Sequence, residues 1–133
     1  MRHFGAVTAL IVAGLSGPAT GQDAAQPPEW ALLAECSAVF AAAANADQGY
    51  AGADTATLER ADLVSARFRA EAVRAAGSAG QADPQADVAS IMDYLTPRWS
   101  SRAENLFAVP SNLRWFSYCG RLGRDMGVLP LPD

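Results

Sequence analysis

The sequence predicts an all-helical fold: a small bundle of four or five helices joined by one disulfide, following a cleaved signal peptide. Three observations lead there. Alanine is abundant and β-branched residues are sparse beyond residue 21, which favours helix over strand. Apolar residues recur at spacings of three and four in each long segment, the period of one helix face. The two cysteines, Cys36 and Cys119, stand 83 positions apart with no metal-ligand spacing around them, which in an exported chain reads as one structural bridge. A redox pair fits less well, because no Cys-x-x-Cys arrangement is present to lower a thiol pKa.

Residues 1–21 have the three-part form of a secretory leader. Met1-Arg2-His3 carries positive charge, residues 6–15 are apolar, and residues 16–21 are small and polar. Cleavage after Gly21 places Ala19 and Gly21 at the small-residue positions before the cut and starts the exported chain at Gln22. A membrane anchor fits poorly, since a spanning helix needs about 20 apolar residues and this run is interrupted at Gly14, Ser16, Gly17 and Pro18. No cysteine follows the run closely, which argues against lipid attachment. Residues 22–28 then form a flexible N-terminal segment, and residues 29–133 a single helical domain.

After Pro27-Pro28, residues 29–46 place Trp30, Leu33, Ser37, Phe40 and Ala44 on one helical stripe, with Leu32, Cys36, Val39 and Ala43 beside it. Residues 45–53, containing Gly49 and Gly52, form a loop. A second helix takes Asp54 as its cap and runs to a stop at Gly77, burying Leu58, Ala61, Ser65, Phe68, Ala72 and Ala75. Arg67, Glu71 and Arg74 decorate its solvated side at spacings that permit ion pairs. Gly77-Ser78-Ala79-Gly80 then makes a flexible link.

A third helix starts with Asp83 as cap and Pro84 at the first helical position. It buries Val88, Ile91, Met92 and Leu95. Pro97 ends or kinks it, and residues 98–107 continue in helical form. Pro110 and Ser111 reset the chain, and Ser111 or Asn112 caps a last helix in which Trp115, Cys119, Leu122 and Met126 share a face. Gly127 and Leu129-Pro130-Leu131-Pro132 end it. Within it, Phe116, Gly120, Gly123 and Gly127 form a second strip. Glycine in a helix interior costs up to about 1 kcal/mol relative to alanine, so the strip needs a reason. Close approach of the first helix, tied on by the bridge, is one; early termination at Gly120 is the other.

The chemistry available is narrow. All ten basic residues are arginine, and the single histidine, His3, lies in the leader. Without lysine there is neither a Walker P-loop nor a Schiff base. Without histidine the usual transition-metal sites and covalent haem attachment lose their ligands, so no cofactor or metal is expected. Ala76-Gly77-Ser78-Ala79-Gly80 imitates a nucleophile elbow, but it follows a helix and has no imidazole to act as base. A carboxylate pair drawn from Glu29, Glu35, Glu59, Glu71 and Glu104 is the one hydrolytic option left, and no spacing singles out two of them.

Beyond residue 21 the chain holds nine Arg against fourteen acids, a net charge of −5, which gives it no general attraction for nucleic acid. That charge is uneven. Residues 22–97 carry a net of −7, and residues 98–124 a net of +4. The two halves are expected to face and partly neutralise each other. The basic part mixes arginine with aromatics, Arg98-Trp99 and Arg102, then Arg114-Trp115-Phe116-Ser117-Tyr118, Arg121 and Arg124, and its candidate face is Arg98, Trp99, Arg102, Arg114, Tyr118 and Arg121. Arginine offers a planar donor fork and aromatics give rigid contact area, so this face is the candidate binding surface for a carboxylate, a phosphate or a partner side chain. The alternative is a self-contained surface, with Arg121 pairing Asp125 and Arg114 lying over Tyr118.

These features give the whole chain a resemblance to the small, single-disulfide helical proteins exported by Gram-negative bacteria of high-GC genome. The resemblance rests on the leader, on arginine without lysine, on Glu35-Cys36 in an alanine-rich helix and on Tyr118-Cys119 in an aromatic one. Periplasmic acid-stress chaperones are similar in size and architecture, and none of their motifs occurs here. The expectation is an exported, non-enzymatic binding or accessory protein of the periplasm, with another periplasmic protein or an anionic group as partner and no membrane span in the mature chain. Two alternatives stand beside it: a bundle whose interior carries a small apolar ligand, and a carboxylate hydrolase. An apolar cavity of about 300 Å³ or more favours the carrier, and two facing carboxylates in a cleft favour the enzyme.

Overall fold

The computed structural model describes residues 26–45, 55–102, 105–106 and 108–132. The expected leader, the start of the N-terminal segment, most of the loop at 45–53 and the Asp54 cap lie outside them. Among the described residues there are four helices: α1 (Glu29–Ala44), α2 (Thr55–Ser78), α3 (Pro84–Ser100) and α4 (Pro110–Asp125). Among the described residues there is no strand.

The hub is α1. Leu33, Ala34, Cys36, Ala38 and Val39 are all fully buried, so its apolar face extends nearly around the helix, the pattern of a central element. It ends at Ala44 because Asn45 folds back, its Nδ2 donating to the Ala41 carbonyl at 2.8 Å. Its broadest packing is against α2, then α3, and its narrowest against α4. The α1–α2 crossing is close because small residues meet there. Ser37 Oγ donates to the Ser65 carbonyl, and Ser65 Oγ to the Ser37 carbonyl, both at 2.8 Å. Two buried hydroxyls are thereby satisfied reciprocally.

The stop of α2 lies beyond Gly77. Gly80, at φ +92°, is the residue that turns the chain, with Gln81 N–H on the Ala76 carbonyl and Gly80 N–H on the Gly77 carbonyl, each at 3.1 Å. This is a Schellman closure, so Gly77 and Ser78 belong to the helix and not to a link. Glu71 and Arg74 form the expected ion pair, and that hydrogen bond, with the Glu71 charge, raises the Arg74 pKa above its ordinary value. Arg67 departs from the solvated face. Its Nε donates to the Val128 carbonyl at 2.8 Å and its Nη2 to the Gly127 carbonyl at 3.1 Å, clamping the C-terminal tail onto α2.

In α3 the Asp83 side chain accepts from Ala86 N–H at 3.2 Å, with Pro84 in the first turn. Pro97 does not end the helix, which runs three residues further, to Ser100. Of the expected continuation over 98–107, residues 98–100 are helical and residues 101 and 102 form a turn, while residues 103, 104 and 107 lie outside the described residues. Arg102 and Asn105 N–H groups each bond three residues back, which tightens the chain into turns that drop Leu106, fully buried, into the core.

The start of α4 also differs from expectation. Val109 precedes it with no side-chain cap, and Asn112 is buried instead, its Nδ2 donating to the Asn105 carbonyl at 3.3 Å. The helix passes Gly120 and closes at Gly127, at φ +77°, where Val128 N–H meets the Gly123 carbonyl at 2.8 Å. Room at Gly123 serves the returning tail and α2 rather than the backbone of α1. A Cβ there would lie 2.9 Å from Leu129 Cδ1 and 3.0 Å from Phe68 Cζ, whereas at Gly120 the nearest atom is 3.5 Å away. Substitution by alanine therefore acts in opposite directions. Gly123→Ala is expected to lose about 1–3 kcal/mol through overpacking, and Gly120→Ala to gain up to about 1 kcal/mol through helix propensity. Urea denaturation of the two variants checks both signs.

Candidate binding grooves around Trp115

Among the described residues the aromatic side chains pack on one another in two groups. Phe40 stacks on Phe68 at 5.8 Å and receives Phe116 edge-on at 5.5 Å. A second chain runs from Trp99 to Trp115 at 6.0 Å and on to Tyr118 at 5.6 Å, both edge-on. Trp99 is only 2% exposed, so it belongs to the core and not to the surface face on which the sequence places it. Its Nε1 donates to Glu35 Oε2 at 3.3 Å, joining the acidic and basic parts of the chain.

The arginines are placed differently from the self-contained alternative. Arg98 lies over Tyr94 at 4.2 Å and Arg102 over Trp99 at 4.6 Å, both cation–π contacts. Arg114 is exposed and does not lie over Tyr118, and Arg121 does not pair with Asp125. Among the described residues the one ion pair is Arg74–Glu71. Among the described residues no ion pair joins the two halves of the chain.

Two adjoining grooves flank Trp115. The first, about 570 Å³, lies between the N-terminal halves of α1 and α4 and is lined by Pro27, Leu32, Ser111, Arg114, Trp115 and Tyr118. Gln26 contributes to the same lining, so the described end of the N-terminal segment belongs to the site. The second, about 470 Å³, is lined by Ser101, Arg102, Asn105, Val109 and Asn112, and shares Ser111 and Trp115 with the first. Trp115 and Ser111 thus separate a groove with Arg114 on one side from a groove with Arg102 on the other. Neither Arg98 nor Arg121 lines either groove.

The bridge sets this geometry. Cys36 and Cys119 are joined with their Cα atoms 5.6 Å apart, and both are fully buried. Leu32 stands four residues before Cys36 and Trp115 four before Cys119, so each lies one helical turn from the bridge on its own helix. The first groove opens between those turns. Leu32 and Ser111 were assigned by sequence to an apolar stripe and a cap, and Trp115 both to an apolar stripe and to the arginine–aromatic constellation. The available signal was the common offset of Leu32 and Trp115 from the two cysteines.

A third groove, of about 860 Å³, runs between α2 and α3 with Arg69 and Asp83 among its lining and small side chains, Ala66, Ala70 and Ala86, along it. Among the glutamates, Glu35 is engaged by Trp99 and Glu71 by Arg74. Glu104 and the side chain of Glu59 lie outside the described residues. Among the described residues no group of three or more His, Cys, Asp or Glu side chains gathers as a metal site, and no helix is long and apolar enough to cross a membrane. No family model, curated protein or solved structure matches the chain.

Proposed function

We propose that this chain is an exported, non-enzymatic binding or accessory protein of the periplasm, and that it holds an anionic partner at the grooves beside Trp115. One observation carries the reading: Arg102 and Arg114 stand on either side of an indole, and neither has a carboxylate partner among the described residues. In a chain of net charge −4, two arginines with no acid partner among the described residues, beside rigid aromatic surface, form a ready set of anion donors. Export is supported by the leader and by the bridge, since disulfides persist in oxidising compartments. The absence of lysine, and of histidine beyond His3, supports a binding role over a catalytic one.

The size of the first groove favours a second reading, a carrier of a small ligand, because ligand sites commonly measure about 300–1,000 Å³. The ligand would sit between α1 and α4 and not within the bundle. A photo-reactive benzoylphenylalanine placed at Ser111 tests both readings in periplasm, with Gln85 on the α2–α3 groove as control. Ser111 is expected to yield a defined adduct, polypeptide or small molecule, and Gln85 none. Adducts from Gln85 alone, or equally from both positions, contradict the assignment. N-terminal sequencing of the same exported protein is expected to start at Gln22, and recovery of intact Met1 from membranes contradicts cleavage.

A further inference from the structure

We infer that the α1–α4 groove takes a free apolar monocarboxylate, an alkyl or aryl acid, with its carboxylate on Arg114 and Ser111 and its body against Leu32, Pro27 and Trp115. This rests on the reading of the groove as a binding site and specifies its occupant. The lining is apolar apart from Gln26, Ser111, Arg114 and the Tyr118 phenol. Among the described residues Arg114 is the one permanent charge in this lining, and it is exposed and without an ion-pair partner. Ser111 precedes Arg114 by three positions on α4, so both side chains share a face, and no hydrogen bond within the described residues engages the Ser111 hydroxyl. A guanidinium with a neighbouring hydroxyl is matched by one carboxylate. A second negative charge on the ligand would meet no second cation among the described lining, only the neutral donors of Gln26, Tyr118 and the indole N–H. One charged end and one apolar body is therefore the ligand chemistry that the groove complements.

The protein carries its own reporter. Trp30 and Trp99 are 8% and 2% exposed, while Trp115 is half-buried and lines the groove, so a bound ligand perturbs chiefly Trp115 emission. The experiment titrates the oxidised protein with sodium decanoate, with decan-1-ol, and with an acetylated tripeptide ending in a free phenylalanine carboxylate. Decanoate is expected to change the emission saturably and decanol to bind at least tenfold more weakly. Arg114→Gln is expected to weaken decanoate by about 10- to 100-fold, the range for losing a charge-assisted hydrogen bond, with decanol unaffected. Trp115→Phe is expected to abolish the signal while calorimetry still detects the ligand. Equal affinity for decanol and decanoate, indifference to Arg114→Gln, or binding of the peptide carboxylate alone overturns the inference. A polypeptide adduct at Ser111 combined with no decanoate binding removes this ligand and leaves the binding-protein reading standing.

Discussion

Replacing Cys36 and Cys119 together by alanine is expected to destabilise the protein by about 4.5 kcal/mol, the chain-entropy value for closing a loop of this length. The two cysteines are 83 positions apart, so reduction releases most of the described chain from a single constraint. The loss falls where packing is thinnest. α1 meets α4 more narrowly than it meets α2 or α3, and α4 is otherwise held by side chains: Trp115 on Trp99, Phe116 on Phe40 and Gly123 against Phe68. Since whole domains are stable by only about 5–15 kcal/mol, the double variant should be near its unfolding threshold. Urea denaturation of the oxidised protein and the double variant measures the difference. A change below about 1 kcal/mol would mean that the bridge contributes little of the loop-closure effect. Alkylation of the unreduced, denatured wild type should add no label, because both thiols are bridged.

Trp99→Ala is expected to cost about 3–5 kcal/mol, the range for truncating a large buried aromatic. Trp99 is 2% exposed, and three contacts depend on it. Glu35 loses its indole donor, Trp115 loses its edge-on neighbour and Arg102 loses the ring beneath its guanidinium. Trp99→Phe separates these effects. It keeps a ring for Trp115 and Arg102 but removes the donor to Glu35 and part of the buried indole volume, so its expected loss is about 1–3 kcal/mol, below that of the alanine variant. Thermal unfolding gives the two stabilities, and near-UV circular dichroism reports whether the Trp115 environment changes with them. Equal losses in the two variants would mean that the ring kept by phenylalanine contributes nothing to stability.

The helices were legible wherever a local rule decides the structure. Asp83-Pro84 announces a capped first turn, and the three-and-four spacing marks Leu33, Phe68 and Val88 as core, all fully buried. The pairing of Cys36 with Cys119 followed from there being only two cysteines in a chain with an export-type leader. Boundaries failed where glycine or asparagine had two uses. Gly77 sits inside α2, and the left-handed turn falls at Gly80, a choice fixed by where the chain must reverse and not by composition. Asn112 resembled a cap and became a buried bracket to Asn105.

The site was legible in its residue types and not in its arrangement. Arg67, Arg98, Arg102, Arg114 and Arg121 look alike in sequence, yet the fold gives them different environments. Arg67 is spent on tail carbonyls and Arg98 on Tyr94, while Arg102 and Arg114 reach grooves on either side of Trp115. Those differences depend on contacts 61 residues apart in one case, which no local period encodes. Trp99 was assigned to the surface through its arginine neighbours, although burial beside Glu35 is what lets it support Trp115.

The most direct measurement changes Arg102 and Arg114 together to glutamine and reads stability and binding in the same protein. Thermal stability should fall by less than about 1 kcal/mol, because Arg102 contributes only an exposed contact over Trp99 and Arg114 has no ion pair among the described residues. The adduct formed from benzoylphenylalanine at Ser111 should be lost, since truncating a desolvated charge at an interface costs about 2–5 kcal/mol of binding. A large fall in stability with the adduct retained would contradict the binding site and show that these two arginines hold the fold together.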